Sequence, residues 1–257
     1  MCETCGCGRT ETHLHETPVG PAHDSEHGHG HAHPHDGEPE RESRRAIEIE
    51  RRVLARNDEA AAANRRWLEE HGIAALNLIS SPGSGKTLLL EQTLDRLRGR
   101  VPCAVITGDQ QTELDAQRLA GRGAHVHGIQ TGSACHLNAE QVGALLPHVV
   151  GPDTRLLFIE NVGNLVCPAT YDLGEGFKVA LLSTPEGEDK PLKYPALFAR
   201  AGVVVINKTD LAPHVGWDAA RARQCLRRVH PGVFIFELSA KTGEGLDAWI
   251  EYLVGLV

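Results

Sequence analysis

The chain has 257 residues, 41% of them hydrophobic and 23% charged, with a net charge of −8. That length accommodates one α/β domain of about 200 residues plus an appendage. Residues 1–40 hold eight acids and a single base, Arg9, so the remainder is close to neutral; this balance implies no basic face, and the expectation is a protein without a nucleic-acid partner. No apolar run reaches the roughly 18 residues of a membrane span. The start, MCETCGCG, has neither the basic residues nor the apolar stretch of a secretory leader. The expectation is a cytoplasmic protein that engages no membrane. Its seven cysteines would then sit in a reducing compartment, where clustered thiols point to metal or redox chemistry rather than disulfides.

Residues 1–40 consist largely of Gly, Pro, His and acid, a composition that predicts a flexible Cys/His-rich segment without a packed core. Cys2, Cys5 and Cys7 form C-x-x-C-G-C, in which three thiols can wrap one ion and Gly6 permits the tight turn. Thiolates favour Zn²⁺, Cu⁺ or Ni²⁺ over Mg²⁺ or Ca²⁺. With the α-amine as a fourth ligand the set would be S₃N and square-planar, a geometry suited to Ni²⁺. Eight of the fifteen histidines follow, between His13 and His35. They read as a weak buffer for divalent ions or as a solvated linker.

Residues 41–70 mix Ile47, Ile49, Val53, Leu54, Trp67 and Leu68 with Arg and Glu, and predict one or two amphipathic helices leading into the domain. From residue 73 the pattern changes. Strand-like runs at 73–80, 101–107, 125–129, 155–160, 179–183, 203–207 and 233–238 alternate with helical runs at 87–98, 113–120, 139–146, 217–229 and 245–254. This alternation predicts a mostly parallel sheet with helices on both faces over 71–257, and ligands at the carboxyl ends of its strands.

The motif SSPGSGKT, residues 80–87, follows the first strand and opens a helix, as a phosphate-binding loop must. Gly83, Ser84 and Gly85 let backbone N–H groups converge on phosphate oxygens. Lys86 reaches the β- and γ-phosphates, and Thr87 offers its hydroxyl to Mg²⁺. Ser80 stands where the usual pattern has glycine. Downstream, Glu160 ends a strand and is followed by Gly163; the acid suits a Mg²⁺ shell and the glycine N–H suits a γ-phosphate. Asp109, also at a strand end, is a second acid for a Mg²⁺ water or the attacking water. Asp115 fits a catalytic role or a solvated helix acid. Asn207-Lys208-Thr209-Asp210 and then Ser239-Ala240-Lys241 have the order of the guanine motifs of GTPases. The Asp210 carboxylate can accept from guanine N1–H and N2–H₂, a donor pair that adenine lacks. Asn207 would support the loop and Lys208 would lie along the base.

Inside the domain Cys135-His136 and Cys167-Pro168 form a second metal-ligating set, the latter four residues beyond Gly163. Cys103 and Cys225 read as buried core residues.

Together with TGDQQTELDAQR, ENVGNLVCPA and EGEDKPLKYP, these motifs resemble the HypB family, the nickel-insertion GTPases of [NiFe]-hydrogenase maturation. The resemblance runs over nearly the whole chain and implies a dimerising P-loop GTPase that uses GTP and Mg²⁺. It implies a GTP-promoted homodimer in which Cys135, His136 and Cys167 hold Ni²⁺ or Zn²⁺ at or near the interface. Implied partners are a HypA-like metallochaperone, the hydrogenase large subunit and a SlyD-like prolyl isomerase. Lys190 or Lys193 would reach the partner's nucleotide. The alternatives are a nickel store built on residues 1–40, a urease-type (UreG-like) nickel GTPase, and a small-molecule kinase, which NKTD and SAK oppose.

Overall fold

The computed structural model describes residues 38–109, 114–132 and 134–257; Cys2, Cys5, Cys7 and the histidines between 13 and 35 lie outside the described residues. Helix α1 (Glu38–Glu70) is a single continuous helix. The chain divides into two compact units after Val53, within this helix. In the described part of the first unit, Arg52 pairs with Glu48 one turn earlier, and Ile47, Ile49 and Val53 are exposed.

In the second unit, Leu54–Val257, strands and helices alternate. They are β1 (Ala74–Ser80), α2 (Lys86–Leu97), β2 (Cys103–Asp109), α3 (Leu114–Leu119), β3 (Ala124–Gln130), α4 (Ala139–Val149), β4 (Leu156–Glu160) and α5 (Cys167–Thr170). They continue with β5 (Phe177–Ser183), α6 (Lys190–Lys193), α7 (Pro195–Phe198), β6 (Ala201–Asn207), α8 (Ala212–Val215), α9 (Ala219–Val229), β7 (Phe234–Glu237) and α10 (Leu246–Val254). The seven strands form one parallel sheet in the order β3-β2-β4-β1-β5-β6-β7. This is the predicted α/β class, with helices on both faces.

The period-2 alternation of strands sends successive side chains to opposite faces. Leu76 and Leu78 of β1 therefore pack with Leu89, Leu90 and Leu94 of α2 and Trp249 of α10. Ala75 faces the other way, into a cluster with Leu68 of α1 and Val142 and Leu146 of α4. Ile79 joins Ala169, Phe198 and Leu226 from α5, α7 and α9. Asn77 also faces this second side; fully buried, it needs polar partners.

Two differences from the sequence expectation have simple causes. α4 continues past Pro147, where the missing N–H suggests a stop at 146; the proline lies in the last turn, and Val150 N–H still closes on Leu146 O. The helices α5 to α8 have four residues each, too few to register as a period.

Register aligns the strand ends. Glu160 sits beside Leu78 and Thr107, and Ser183 beside Asn207. The carboxyl ends of the central strands thus meet along one edge, where ligands bind in such sheets. No helix among the described residues is long and apolar enough to cross a membrane.

Candidate functional site

Residues 80–87 leave β1 and open α2. Gly85 adopts φ +94°, and a Cβ there would lie 2.7 Å from Asn207 Nδ2, so only glycine fits between this loop and the one that follows β6. The first turn of α2 has no side-chain cap, which leaves its N–H groups to serve an anion. Lys86 Nζ donates to Ser80 Oγ at 3.1 Å, so the serine that replaces the usual glycine holds the ammonium at the cavity wall. Burial lowers the Lys86 pKa, against the nearby acids Glu160 and Asp115. Ser84 Oγ donates to Glu186 Oε2 at 2.8 Å, tying the loop to the end of β5, where the same oxygen accepts from Ser183 N.

A cavity of about 500 Å³ lies over this loop, lined among others by Lys86, Thr87, Asp109, Asp115, Glu160 and Gly163. Thr87 Oγ1 donates to Glu160 Oε1 at 2.7 Å. The other carboxylate oxygen, Glu160 Oε2, is buried without a hydrogen-bond partner among the described residues. Burial pushes the Glu160 carboxyl up to about 7, although Lys86 and Thr87 pull the other way. An orphaned buried oxygen beside a hydroxyl, with Asp109 on the same cavity, is a donor set that suits a hard dication such as Mg²⁺. Asp115 lines the cavity and pairs with Arg118 at 3.5 Å.

A second cavity, about 170 Å³, shares Gly85 and Leu88 with the first and is otherwise lined by Asn207, Lys208, Asp210, Leu211, Ala240 and Lys241. Asn207 Nδ2 donates to Ser84 O at 2.9 Å, and Asn207 Oδ1 accepts from Ala240 N at 3.0 Å. One buried side chain thereby clamps the loop at 80–87 to the segments at 207–210 and 239–241. Lys208 holds φ +60°, the one positive φ of a non-glycine among the described residues, and its Nζ donates to Gly83 O at 2.6 Å. Asp210 Oδ1 accepts from Ser239 Oγ at 2.6 Å, which aims the half-buried carboxylate along the cavity.

Cys135, His136 and Cys167 come together, with candidate ligand atoms all within 4.8 Å of one another. Cys135 and His136 lie between β3 and α4, whereas Cys167 opens α5 after β4; β2 separates the two strands in the sheet, and Leu137 N, donating to Asn161 Oδ1 at 3.1 Å, joins the two segments. Cys135 Sγ lies 3.7 Å from His136 Nδ1. The His136 ring packs against Tyr171 at a tilt of 31°, with centroids 3.8 Å apart, and burial lowers its pKa, which favours the neutral, ligating imidazole. Two soft thiols and one imidazole, half-buried, suit Zn²⁺ or Ni²⁺ and leave a fourth position open. Cys103 and Cys225 are buried. Lys190 pairs with Glu186 at 3.3 Å and Lys193 with Asp189 at 2.8 Å.

A protein-family model described as CobW/HypB/UreG, nucleotide-binding domain, matches residues 74–237. Hydrogenase maturation factor HypB of Escherichia coli (strain K12) is 49% identical over 215 residues, covering 84% of this chain and 74% of that protein. The chain belongs to the HypB family. Its fold agrees with two solved HypB structures. That of Helicobacter pylori HypB in complex with nickel has a TM-score of 0.73 at 38% identity, covering 78% of this chain and 94% of that one. That of Archaeoglobus fulgidus HypB has a TM-score of 0.74 at 39% identity, covering 79% and 99% respectively.

In this HypB-family chain, several residues that shape the site carry no motif. Asn57 Oδ1 accepts from Ala139 N at 2.9 Å while its Nδ2 donates to Asp172 O at 2.8 Å. Asn64 Nδ2 donates to Ala139 O and Leu173 O at 2.7 and 3.0 Å. Arg65 reaches the Asp172 carboxylate. α1 therefore grips the chain on both flanks of the Cys–His cluster. Tyr171 was equally silent in the sequence, and Asn161 and Glu186 stood inside ENVGNLVCPA and EGEDKPLKYP without a role of their own.

Proposed function

We propose that this HypB-family chain is a cytoplasmic, GTP-hydrolysing nickel metallochaperone that delivers Ni²⁺ to [NiFe]-hydrogenase during maturation. The observation that carries the reading is the juxtaposition of the two sites. The loop that lines the phosphate cavity with Glu160 and Gly163 continues directly into Cys167 of the metal cluster. A change at the γ-phosphate end is thereby felt at a metal ligand. The naming of relatives as hydrogenase maturation factors supports hydrogenase as the recipient, and the nickel in the Helicobacter pylori structure supports nickel as cargo.

In this reading Asp210 selects guanine, Asn207 and Lys208 brace its loop, and Ser239, Ala240 and Lys241 close the base cavity. Gly83, Ser84, Gly85 and Lys86 hold the phosphates, and Gly163 N–H meets the γ-phosphate. Thr87, Asp109 and Glu160 hold Mg²⁺, whose charge offsets that of the phosphates. Cys135, His136 and Cys167 hold Ni²⁺, or Zn²⁺ in a resting form. The open fourth position favours completion by a second copy, as in a GTP-promoted homodimer, and transfer then involves a HypA-like metallochaperone and the hydrogenase large subunit. Cys2, Cys5, Cys7 and the histidine tract, with a SlyD-like isomerase as partner, supply the metal. Coupling between the sites is reciprocal: the factor by which GTP changes metal affinity equals the factor by which metal changes GTP affinity.

Phosphate release from GTP and from ATP tests the reading. GTP should be turned over and ATP should not, and Lys86→Ala should abolish turnover while the chain still binds metal through Cys2, Cys5 and Cys7. Normal turnover in that variant would overturn the phosphate-loop assignment.

A further inference from the structure

The metal cluster has two halves that differ in how the nucleotide cavity can reach them. Cys167 is on the same backbone stretch as Gly163. Cys135 and His136 belong to the separate segment between β3 and α4. Two backbone N–H groups help to anchor that segment. At its start Thr131 N donates to the Asp109 carbonyl at 2.8 Å. At its end Leu137 N donates to Asn161 Oδ1 at 3.1 Å. Asn161 directly follows Glu160, lines the phosphate cavity, and is 1% exposed.

The orientation of that carboxamide is fixed from behind. Asn77 Nδ2 donates to Glu175 Oε1 at 3.1 Å, so Asn77 turns its Oδ1 to Asn161, whose Nδ2 donates to it at 3.2 Å. Asn161 Oδ1 is thereby turned to Leu137 N and to Val162 N at 3.0 Å. Glu175 is paired with Lys178, and Lys178 Nζ donates to Tyr171 O at 2.9 Å. The Tyr171 ring is the one that lies on His136. The chain of buried polar groups begins beside Glu160 and returns to the metal cluster. Leu137 is fully buried, so moving Asn161 without it would strand a buried N–H, at a cost comparable to a lost hydrogen bond. Asn161 and the Cys135–His136 segment must shift together.

We infer that Asn161 is the positioning residue that carries the nucleotide state to the Cys135–His136 half of the metal cluster, through its bond to Leu137 N. This rests on the nucleotide–metal coupling of the proposed function and adds the side chain that transmits it. The second half of the cluster then follows the cavity loop as the first does, and all three ligands are repositioned.

The test uses the full chain with Cys2, Cys5 and Cys7 changed to Ser, so that the inner site is the thiolate site that reports. Ni²⁺ dissociation constants are measured with GDP and with a non-hydrolysable GTP analogue, and their ratio is compared with that of the same chain carrying Asn161→Ala. The unaltered inner site should give a ratio about fivefold or more away from 1, within the range usual for coupled sites. Asn161→Ala should bring it to within about twofold of 1, a small residual against that range. A merely structural Asn161 would move both constants by the same factor and leave the ratio alone, and that result overturns the inference while sparing the proposed function. A ratio near 1 without the Asn161 change overturns both. Amide exchange at Leu137 keeps the test sharp if Asn161→Ala misfolds. With Asn161 intact, protection at Leu137 should differ between the two nucleotide states, and identical protection refutes the role assigned to Asn161.

Discussion

Glu160→Gln should separate stability from activity at this site. The Glu160 carboxyl rises from 4.5 to about 7 because it is buried, and at 1.36 kcal/mol per pH unit this is a penalty of about 3 kcal/mol on its ionised form. The sign follows from linkage. Below pH 4.5 the group is protonated in the folded and unfolded chain alike, and the favourable term is fully present. As pH rises through about 7 the folded protein must ionise a buried group and that term is lost. Gln cannot ionise, and its Oε1 still accepts from Thr87. Urea unfolding without nucleotide or divalent ions should therefore show the wild-type chain losing about 2–3 kcal/mol more than Glu160→Gln between pH 5 and pH 8. GTP turnover by the variant should fall about 100-fold or more, because a charged ligand for the dication is gone. Parallel pH profiles for the two chains would refute the assignment of a strained, buried carboxylate.

Asp210→Asn removes an acceptor of two charge-assisted hydrogen bonds, each about 1.5–3 kcal/mol, so GDP affinity should drop about 100-fold or more. Xanthosine diphosphate, whose C2 oxygen can accept from the new amide, should regain much of it; unchanged GDP binding by calorimetry would contradict the base cavity. Cys167→Ala should weaken Ni²⁺ binding at the inner site by about 100-fold, the upper end of losses seen even for outer-shell partners, while GDP affinity stays within about twofold. Gly174→Ala places a Cβ 2.6 Å from Asn64 Cβ and 2.7 Å from Ala61 O at φ +90°. Backbone strain and overpacking together should destabilise the fold by about 2–5 kcal/mol in chemical denaturation.

The fold class and the nucleotide loops were legible because each depends on chemistry local in sequence. Apolar runs of strand length marked β1 to β7, and Gly85, Lys86, Thr87 and Asp210 lie in short motifs whose residues line two adjoining cavities. The Cys135, His136 and Cys167 cluster was legible as residue types, since Cys-His and Cys-Pro are few in this chain, although their approach depends on a sheet order that sets β3 and β4 on either side of β2. The supporting residues were not legible. Asn57 bonds Asp172, Asn64 bonds Leu173 and Asn161 bonds Leu137, separations set by the sheet order and invisible to any local pattern. Ser80 looked like a departure from the phosphate-loop pattern, and only the geometry gives it a partner in Lys86. The helical run at 139–146 continues through Pro147 to Val149 because the proline lies in the last turn of α4, a placement that sequence alone does not give.

The most direct test of the account is a single turnover of the full chain loaded with Ni²⁺, Mg²⁺ and GTP. Phosphate appearance and the thiolate-to-nickel absorbance are followed together, with a chelator present to trap released metal. The account predicts that the absorbance changes with the same rate constant as phosphate appears, and that neither changes in Lys86→Ala. A nickel signal that stays constant through hydrolysis would contradict it.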